Sequence, residues 1–126
     1  MINERAKYTA NLGAVTISTA NSNLDGTGTI STLITGASNG TFVQRIFIKA
    51  GVSTTQGMIR IFLFDGTKTR LIKEIPVFPT TKSSINSSFR AFVPIALNIA
   101  SGYSLKLSTQ NAETFYCTAE GFNWTY

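Results

Sequence analysis

The amino-acid sequence predicts an all-β fold, an antiparallel two-sheet sandwich that is jelly-roll-like and has about eight strands. Apolar and polar residues alternate over short runs, which is the two-residue period of a strand with one buried face. Glycine, proline, asparagine and serine separate these runs, and helical periodicity is almost absent. This many short antiparallel strands in 126 residues form either a sandwich or a small barrel, and we favour the sandwich.

The first two predicted strands lie on either side of a loop. Ala14–Ser18 alternates small or polar residues with apolar ones, and the turn-rich stretch Asn21–Gly28 follows it. This stretch begins like a calcium-binding loop, but Asp25 is its only carboxylate and Thr32 stands where such a loop has a bidentate glutamate. We therefore predict a turn without metal, followed by a strand over Thr29–Ile34.

The third strand is predicted over Phe42–Ala50. Its alternation places two isoleucines on one face and the side chains of Arg45 and Lys49 on the other. Phe47 shares the charged face, and an aromatic ring at that position predicts that the face is partly covered.

A β-hairpin in the middle of the chain is the strongest local prediction. Met58–Phe64 is apolar on both faces except at Arg60, as expected of a central strand. The loop Asp65–Lys68 follows, in which Gly66 supplies the positive φ angle of a tight hairpin. The return strand, Thr69–Val77, alternates apolar and charged residues.

Three further strands follow the hairpin. After a polar loop over Thr80–Ser88, alternation resumes in Phe89–Leu97, where Pro94 indicates a strand at a sheet edge or at a bend. A serine-glycine turn leads into the next strand, Tyr103–Ser108, and the last alternating run begins with Thr114–Glu120.

Both chain ends are candidate interfaces. We expect residues 1–10 to form an extended arm outside the core and residues 11–126 to form a single β-sandwich domain, because the first ten residues lack alternation. The aromatic residues at the other end alternate, so they either complete the last strand, which we favour, or contact another subunit. The predicted interface residues at the two ends are Ile2, Arg5, Tyr8, Phe122, Trp124 and Tyr126.

The composition argues against catalysis. The sequence has no histidine, which is the commonest general base and metal ligand in proteins. Its six acidic residues are scattered, and its single cysteine, Cys117, lies in a strand pattern typical of a small core residue. We expect no enzymatic activity, no catalytic residues, no metal site and no cofactor.

The basic residues are dispersed along the chain. The sequence contains 11 lysine and arginine residues and 6 acidic residues, which gives a net charge of +5. A basic protein binds nucleic acid or another polyanion more often than a neutral one does. However, no basic run occurs, and alternating basic residues in strands are typical of a solvated sheet face. We therefore do not expect nucleic acid as a partner. No segment has the apolar length of a signal peptide or a membrane span, so we do not expect a membrane as a partner either.

Several segments carry a resemblance to a known group of proteins, namely Arg45–Ala50, Thr54–Phe62, Asp65–Thr67, Leu71–Ile75, Gly102–Leu105 and Thr109–Glu113. Over roughly residues 12–122 the chain resembles small virion proteins of tailed bacteriophages, nearest to the auxiliary (decoration) capsid proteins of crAss-like phages. The resemblance implies a β-sandwich bound to the exterior of a capsid shell after synthesis in the host bacterial cytoplasm. Its partners would be the major capsid protein and other virion proteins, with self-association as a further option, and no catalytic or ligand residues are implied.

Two other functions remain as alternatives. A carbohydrate-binding sandwich of a phage fibre or tail would require exposed, coplanar aromatic rings around a groove. A nucleic-acid-binding β-barrel would require the basic residues to cluster on one face. An enzyme ranks last among these hypotheses.

Overall fold

The computed structural model describes residues 8–125 of the chain. This part contains eight β-strands and no helix, which confirms the predicted all-β class and the predicted number of strands. The strands are β1 (Tyr8–Ile17), β2 (Ser31–Thr35), β3 (Thr41–Ala50), β4 (Gly57–Phe64), β5 (Thr69–Val77), β6 (Arg90–Ile99), β7 (Ser104–Thr109) and β8 (Phe115–Trp124).

The strands form two four-stranded antiparallel sheets. The first sheet has the order β1-β8-β3-β6 and the second sheet has the order β2-β7-β4-β5. The pairs are nested around the central hairpin, because β4 pairs with β5, β3 with β6, β2 with β7 and β1 with β8. Pairing of β3 with β8 and of β4 with β7 then completes each sheet. A long antiparallel ribbon rolled up in this way is a jelly roll, so the predicted sandwich is confirmed over the barrel.

The core lies between the two sheets and is built from the inward-facing residues of all strands. The core contains Ile46 and Ile48 of β3 and Leu105 and Leu107 of β7, and these side chains are fully buried. Burying an aliphatic side chain of this size stabilises the fold by about 1.5–3 kcal/mol. Cys117 belongs to the same core, as predicted, and its burial raises the pKa of the thiol to about 12.

The predicted hairpin is confirmed and is fastened by one carboxylate. Asp65 accepts the backbone N–H groups of Thr67 at 2.9 Å and Lys68 at 2.7 Å, and its other oxygen lies 2.7 Å from Nη1 of Arg70. Gly66 has a φ of 97°, the conformation predicted for it. These hydrogen bonds hold the pKa of Asp65 well below its usual value, and the bond from the Lys68 backbone contributes most.

The loop after β1 crosses the outer face of the second sheet. Asn21 organises it by donating from Nδ2 to the carbonyl oxygens of Thr27 at 3.0 Å and Thr29 at 2.9 Å, which confirms the predicted turn. The Asn21 carbonyl also accepts a hydrogen bond from Nη1 of Arg60 at 3.3 Å. Phe62, on the same face of β4 as Arg60, is fully buried, so this central strand is covered on both faces as predicted.

The edge strands β5 and β6 resist further pairing. Pro94 indicated an edge or a bend, and it lies in β6, which is an edge strand. Pro76 lies in β5 at the edge of the other sheet. Nζ of Lys73 donates to the Pro94 carbonyl at 3.1 Å, and Ala96 has a φ of 51°, which distorts the edge beside it.

The first strand begins earlier than the sequence predicted. β1 starts at Tyr8 instead of Ala14, and it pairs continuously with β8 from Tyr8 opposite Trp124 to Ile17 opposite Phe115. The predicted arm over residues 1–10 is therefore corrected at its end, because residues 8–10 belong to the first sheet. Residues 1–7 lie outside the described residues.

Candidate functional site

Most acidic side chains within residues 8–125 make structural contacts. Glu113 accepts both the backbone N–H and the hydroxyl of Thr55, and Asp25 accepts the corresponding groups of Thr27. Within residues 8–125, no group of three or more histidine, cysteine, aspartate or glutamate side chains could hold a metal ion. The same residues contain no helix that is long and apolar enough to cross a membrane.

The outer face of the first sheet is the most unusual surface of the protein. Because inward positions of β1, β8, β3 and β6 pack into the core, alternation directs the intervening side chains outward. Many of these are large and apolar, and we call this surface the aromatic face; it consists of Tyr8, Leu12, Phe42, Phe47, Phe92, Tyr116, Phe122 and Trp124.

Three of the predicted interface residues meet at one end of the aromatic face. The ring of Phe122 lies 4.7 Å from that of Tyr8, 5.0 Å from that of Trp124 and 5.3 Å from that of Phe42, measured between centroids. Nε1 of Trp124 donates to Oδ1 of Asn98 at 3.1 Å, which links the cluster to β6. β8 includes Phe122 and Trp124, so the prediction that these aromatics complete the last strand is confirmed.

The remaining predicted interface residues, Ile2, Arg5 and Tyr126, lie outside the described residues. Their predicted part in an interface stays a prediction.

An ion pair crosses the middle of the aromatic face. Nε of Arg45 lies 2.8 Å from Oε1 of Glu120 on the neighbouring strand, and both side chains are partly exposed. The Arg45 guanidinium also lies 5.1 Å from the centroid of the Phe92 ring, a cation–π distance. Arg45 is thus bound within the sheet and is not a free cation of this surface.

A second aromatic pair borders a groove beyond the ion pair. Phe47 of β3 and Phe92 of β6 pack edge to face, with centroids 4.5 Å apart and ring planes at 86°. Beside them lies a groove of about 520 Å³ with mostly apolar walls, to which Lys49 and Arg90 also contribute. The sequence predicted the outward position of Phe47 but missed Phe92, although the inward neighbours of Phe92 already implied that it faces outward.

Basic residues gather at the far end of the aromatic face. Lys49 and Arg90 lie directly opposite each other on β3 and β6, and both are exposed. Lys82, in the loop before β6, borders a depression of about 280 Å³ together with Lys49. Tyr116 of β8 pairs with Lys49 on the other side. Sequence reasoning missed this grouping, because the three cations are far apart along the chain.

Comparison with known proteins identifies a shared fold. No protein-family model and no curated protein matches the chain. Among solved structures, it is similar to a chain from a study of Bacillus endospore appendages, described as a novel family of disulfide-linked pili. The TM-score is 0.51 at 12% sequence identity, and the match covers 99% of this chain and 96% of that chain.

Two viral structures are similar to a lesser degree. One is the cyanophage Pam1 capsid asymmetric unit, with a TM-score of 0.46, 13% identity and coverage of 98% of this chain and 89% of that one. The other is infectious bursal disease virus Gt strain, with a TM-score of 0.37, 14% identity and coverage of 94% and 32% respectively. At such identities the similarity concerns the fold alone, and at these two TM-scores it carries no functional argument.

Proposed function

We propose that the protein is a structural subunit of a virion, namely an auxiliary (decoration) protein that attaches to the outer capsid shell of a tailed bacteriophage. The observation that supports this most directly is the aromatic face. The exposed fractions of its side chains reach 68% for Leu12, 61% for Tyr8, 53% for Phe92 and 52% for Tyr116. Several exposed large apolar side chains on one sheet face mark an interaction surface.

The energetics favour a covered face. Fully burying a large apolar side chain is worth about 1.5–3 kcal/mol relative to leaving it in water, so a partner that covers several of them gains substantially. The sheet beneath is rigid, since its strands are paired along their length, so little ordering cost accompanies binding. The jelly-roll architecture recurs in viral capsid domains, and the segment resemblance described above points to the same class.

The carbohydrate-binding alternative is less well supported. A sugar ring stacks on the flat face of an aromatic side chain, whereas Phe47 and Phe92, the pair beside the groove, and Phe122 with Trp124 pack with one ring against the edge of the other. The planes cross at 86° for Phe47 with Phe92 and at 87° for Phe122 with Trp124. Tyr8 and Phe42 are tilted against Phe122, at 43° and 34°. These pairs offer no coplanar platform around a groove.

The nucleic-acid alternative requires a basic surface that is larger than the group of cations at the end of the first sheet. Arg45 and Arg70 are in ion pairs, Arg60 is buried, and Lys73 donates to a backbone carbonyl of β6. Lys68 lies in the hairpin loop, and Lys106 lies over the ring of Phe64 on the second sheet. Within residues 8–125 the cations that gather at the end of the first sheet are therefore Lys49, Lys82 and Arg90, and Nζ of Lys49 also donates to the Ser88 carbonyl at 3.3 Å. Three cations are a small patch for a polyanion that binds through many phosphates.

A sedimentation experiment tests the proposed function. Shells assembled from the major capsid protein of the same genome are mixed with the purified protein, and we expect saturable co-sedimentation. Replacing Phe92 and Tyr116 with serine should abolish it, because both side chains are exposed on the aromatic face. The control is Ile72→Ser, which removes an apolar side chain that is 40% exposed on the second sheet, and should leave binding unchanged.

Two results would contradict the proposal. One is that the unmodified protein stays in the supernatant at every concentration of shells. The other is that the Ile72→Ser variant loses binding as fully as the double variant does, since the aromatic face would then have no special part in attachment.

A further inference from the structure

The far end of the aromatic face holds like charges in an arrangement that costs stability. Lys49 and Arg90 are direct cross-strand partners, and like charges in that relation destabilise a sheet. The ion pairs of residues 8–125 are Arg45 with Glu120 and Arg70 with Asp65, so neither Lys49 nor Arg90 has a carboxylate partner there. Nζ of Lys49 donates one hydrogen bond to the Ser88 carbonyl at 3.3 Å, which leaves its positive charge uncompensated. A negative charge brought from outside would relieve this repulsion.

A preformed apolar groove lies next to these cations. The edge-to-face packing of Phe47 against Phe92 fixes both rings, and the groove beside them has a volume of about 520 Å³. That volume exceeds the size of one amino-acid side chain and lies within the range of small-ligand sites. Lys49 and Arg90 border the same groove, so apolar contact and charge are offered together.

The loop before β6 extends this surface and is held in place. The backbone N–H of Lys82 donates to Oγ of Ser53 at 2.8 Å, and the Ser88 hydroxyl donates to the carbonyl of Ala50 at 2.6 Å. At its tip Ile85 is 96% exposed, although the loop is tied on one side to the loop between β3 and β4 and on the other side to the end of β3. A fixed loop with an exposed isoleucine and a lysine suits contact with a partner.

We propose that the basic–aromatic patch, formed by Phe47, Lys49, Lys82, Arg90 and Phe92, binds an acidic segment of a protein partner. Carboxylates of that segment pair with Lys49, Lys82 and Arg90. One apolar side chain of the segment enters the groove beside Phe47 and Phe92. This inference deepens the proposed function and rests on it in one respect, the identification of the partner as a capsid protein. The binding chemistry of the patch is independent of the proposed function.

The patch favours a protein segment over a nucleic acid. Single-stranded nucleic acids bind to a basic track with flat rings on which successive bases stack. Here the two rings are perpendicular and the cations lie together at one end of the sheet. Charge complementarity combined with an apolar groove large enough to admit a side chain therefore selects a carboxylate-rich peptide.

The test is a titration of the isotope-labelled protein with a capped peptide of four glutamates around a central leucine, followed by NMR. Shifts should be confined to β3, β6 and the loop between β5 and β6. Arg90→Glu should weaken binding roughly tenfold, because one attraction becomes a repulsion. The matched control is Lys68→Glu, which makes the same change in net charge at an exposed position of the hairpin loop and should leave binding unchanged.

A second measurement separates binding from folding. Arg90→Glu places opposite charges on β3 and β6, so its melting temperature should equal or exceed that of the unmodified protein while binding falls. An Arg90→Glu protein that melts earlier and binds normally would overturn the inference.

Other outcomes would also overturn it. Equal binding of a peptide with glutamines in place of glutamates would remove the role of charge, and an equal loss in Lys68→Glu would indicate attraction by net charge alone. Preferential binding of an oligothymidine at the patch would assign it to nucleic acid. Peptide binding at the patch without attachment to capsid shells would refute the proposed function and leave this inference standing.

Discussion

Single side chains fasten the loops of this jelly roll to its sheets. Asp65 closes the central hairpin by accepting hydrogen bonds from two backbone N–H groups and pairing with Arg70. Asn21 holds the loop after β1 by donating from Nδ2 to backbone carbonyl groups. Aspartate and asparagine suit such positions because their short side chains reach backbone groups two residues away. Both positions were recognisable in the sequence as turns, although the long-range partners of Asn21 were not.

The charge of Asp65 should make stability depend on pH. Its folded pKa is depressed, so its contribution is present above its usual value of 3.8 and is lost as the pH falls towards the lower folded value. Asp65→Asn lacks this titration and should melt earlier than the unmodified protein at pH 7. We expect the difference in melting temperature to narrow below about pH 4, measured by circular dichroism.

A difference in melting temperature between the two proteins that stays constant from pH 7 to below pH 4 would contradict this prediction. It would mean that the amide cannot replace the carboxylate geometrically and that charge is irrelevant.

At the scale of elements, the two sheets approach most closely where β1 passes β2. Gly13 is buried there, and a Cβ atom on it would overlap the carbonyl oxygen of Leu33. The contact joins an edge strand of each sheet, so it closes one side of the sandwich. A residue without a side chain is needed at this position because the obstacle is backbone, which cannot rotate away.

Gly13→Ala should therefore destabilise the fold by about 1–3 kcal/mol, the usual cost of forcing a methyl group into a packed site. Chemical denaturation measures the change. Ala14→Ser is the matched control, because Ala14 is the exposed neighbour on the same strand and its side chain points away from β2. A Gly13→Ala protein as stable as the control would show that β1 and β2 can separate at no cost.

At the scale of the whole molecule, most strand pairs join distant parts of the chain. β1 pairs with β8, and only β4 and β5 form a local hairpin. Sheets dominated by such non-local pairs fold slowly, because loop closure precedes the contacts that stabilise it. β8, the last of the described strands along the chain, lies between β1 and β3 and completes the sheet that carries the aromatic face.

The predicted arm is tested at this scale. We expect a chain that begins at Tyr8 to keep the melting temperature of the full chain and to attach more weakly to capsid shells, since the arm is proposed to contact a neighbour. Tyr8→Ala in the full chain should instead lower the melting temperature, because Tyr8 packs against Phe122. If removing residues 1–7 lowers the melting temperature by several degrees, the segment belongs to the fold.

The sequence by itself determined the class of the fold, the central hairpin, the turn at Asn21 and the position of the strand with Pro94 at an edge or a bend. These features depend on the local alternation of apolar and polar residues, on turn-forming residues and on the absence of a backbone N–H group in Pro94. All three are visible within a few residues of sequence. The tertiary structure decided where β1 begins, because Tyr8–Gly13 is held by pairing with β8 more than a hundred residues away. It also decided the basic–aromatic patch, because only the register of β3 against β6 brings Lys49 beside Arg90 and Phe47 beside Phe92.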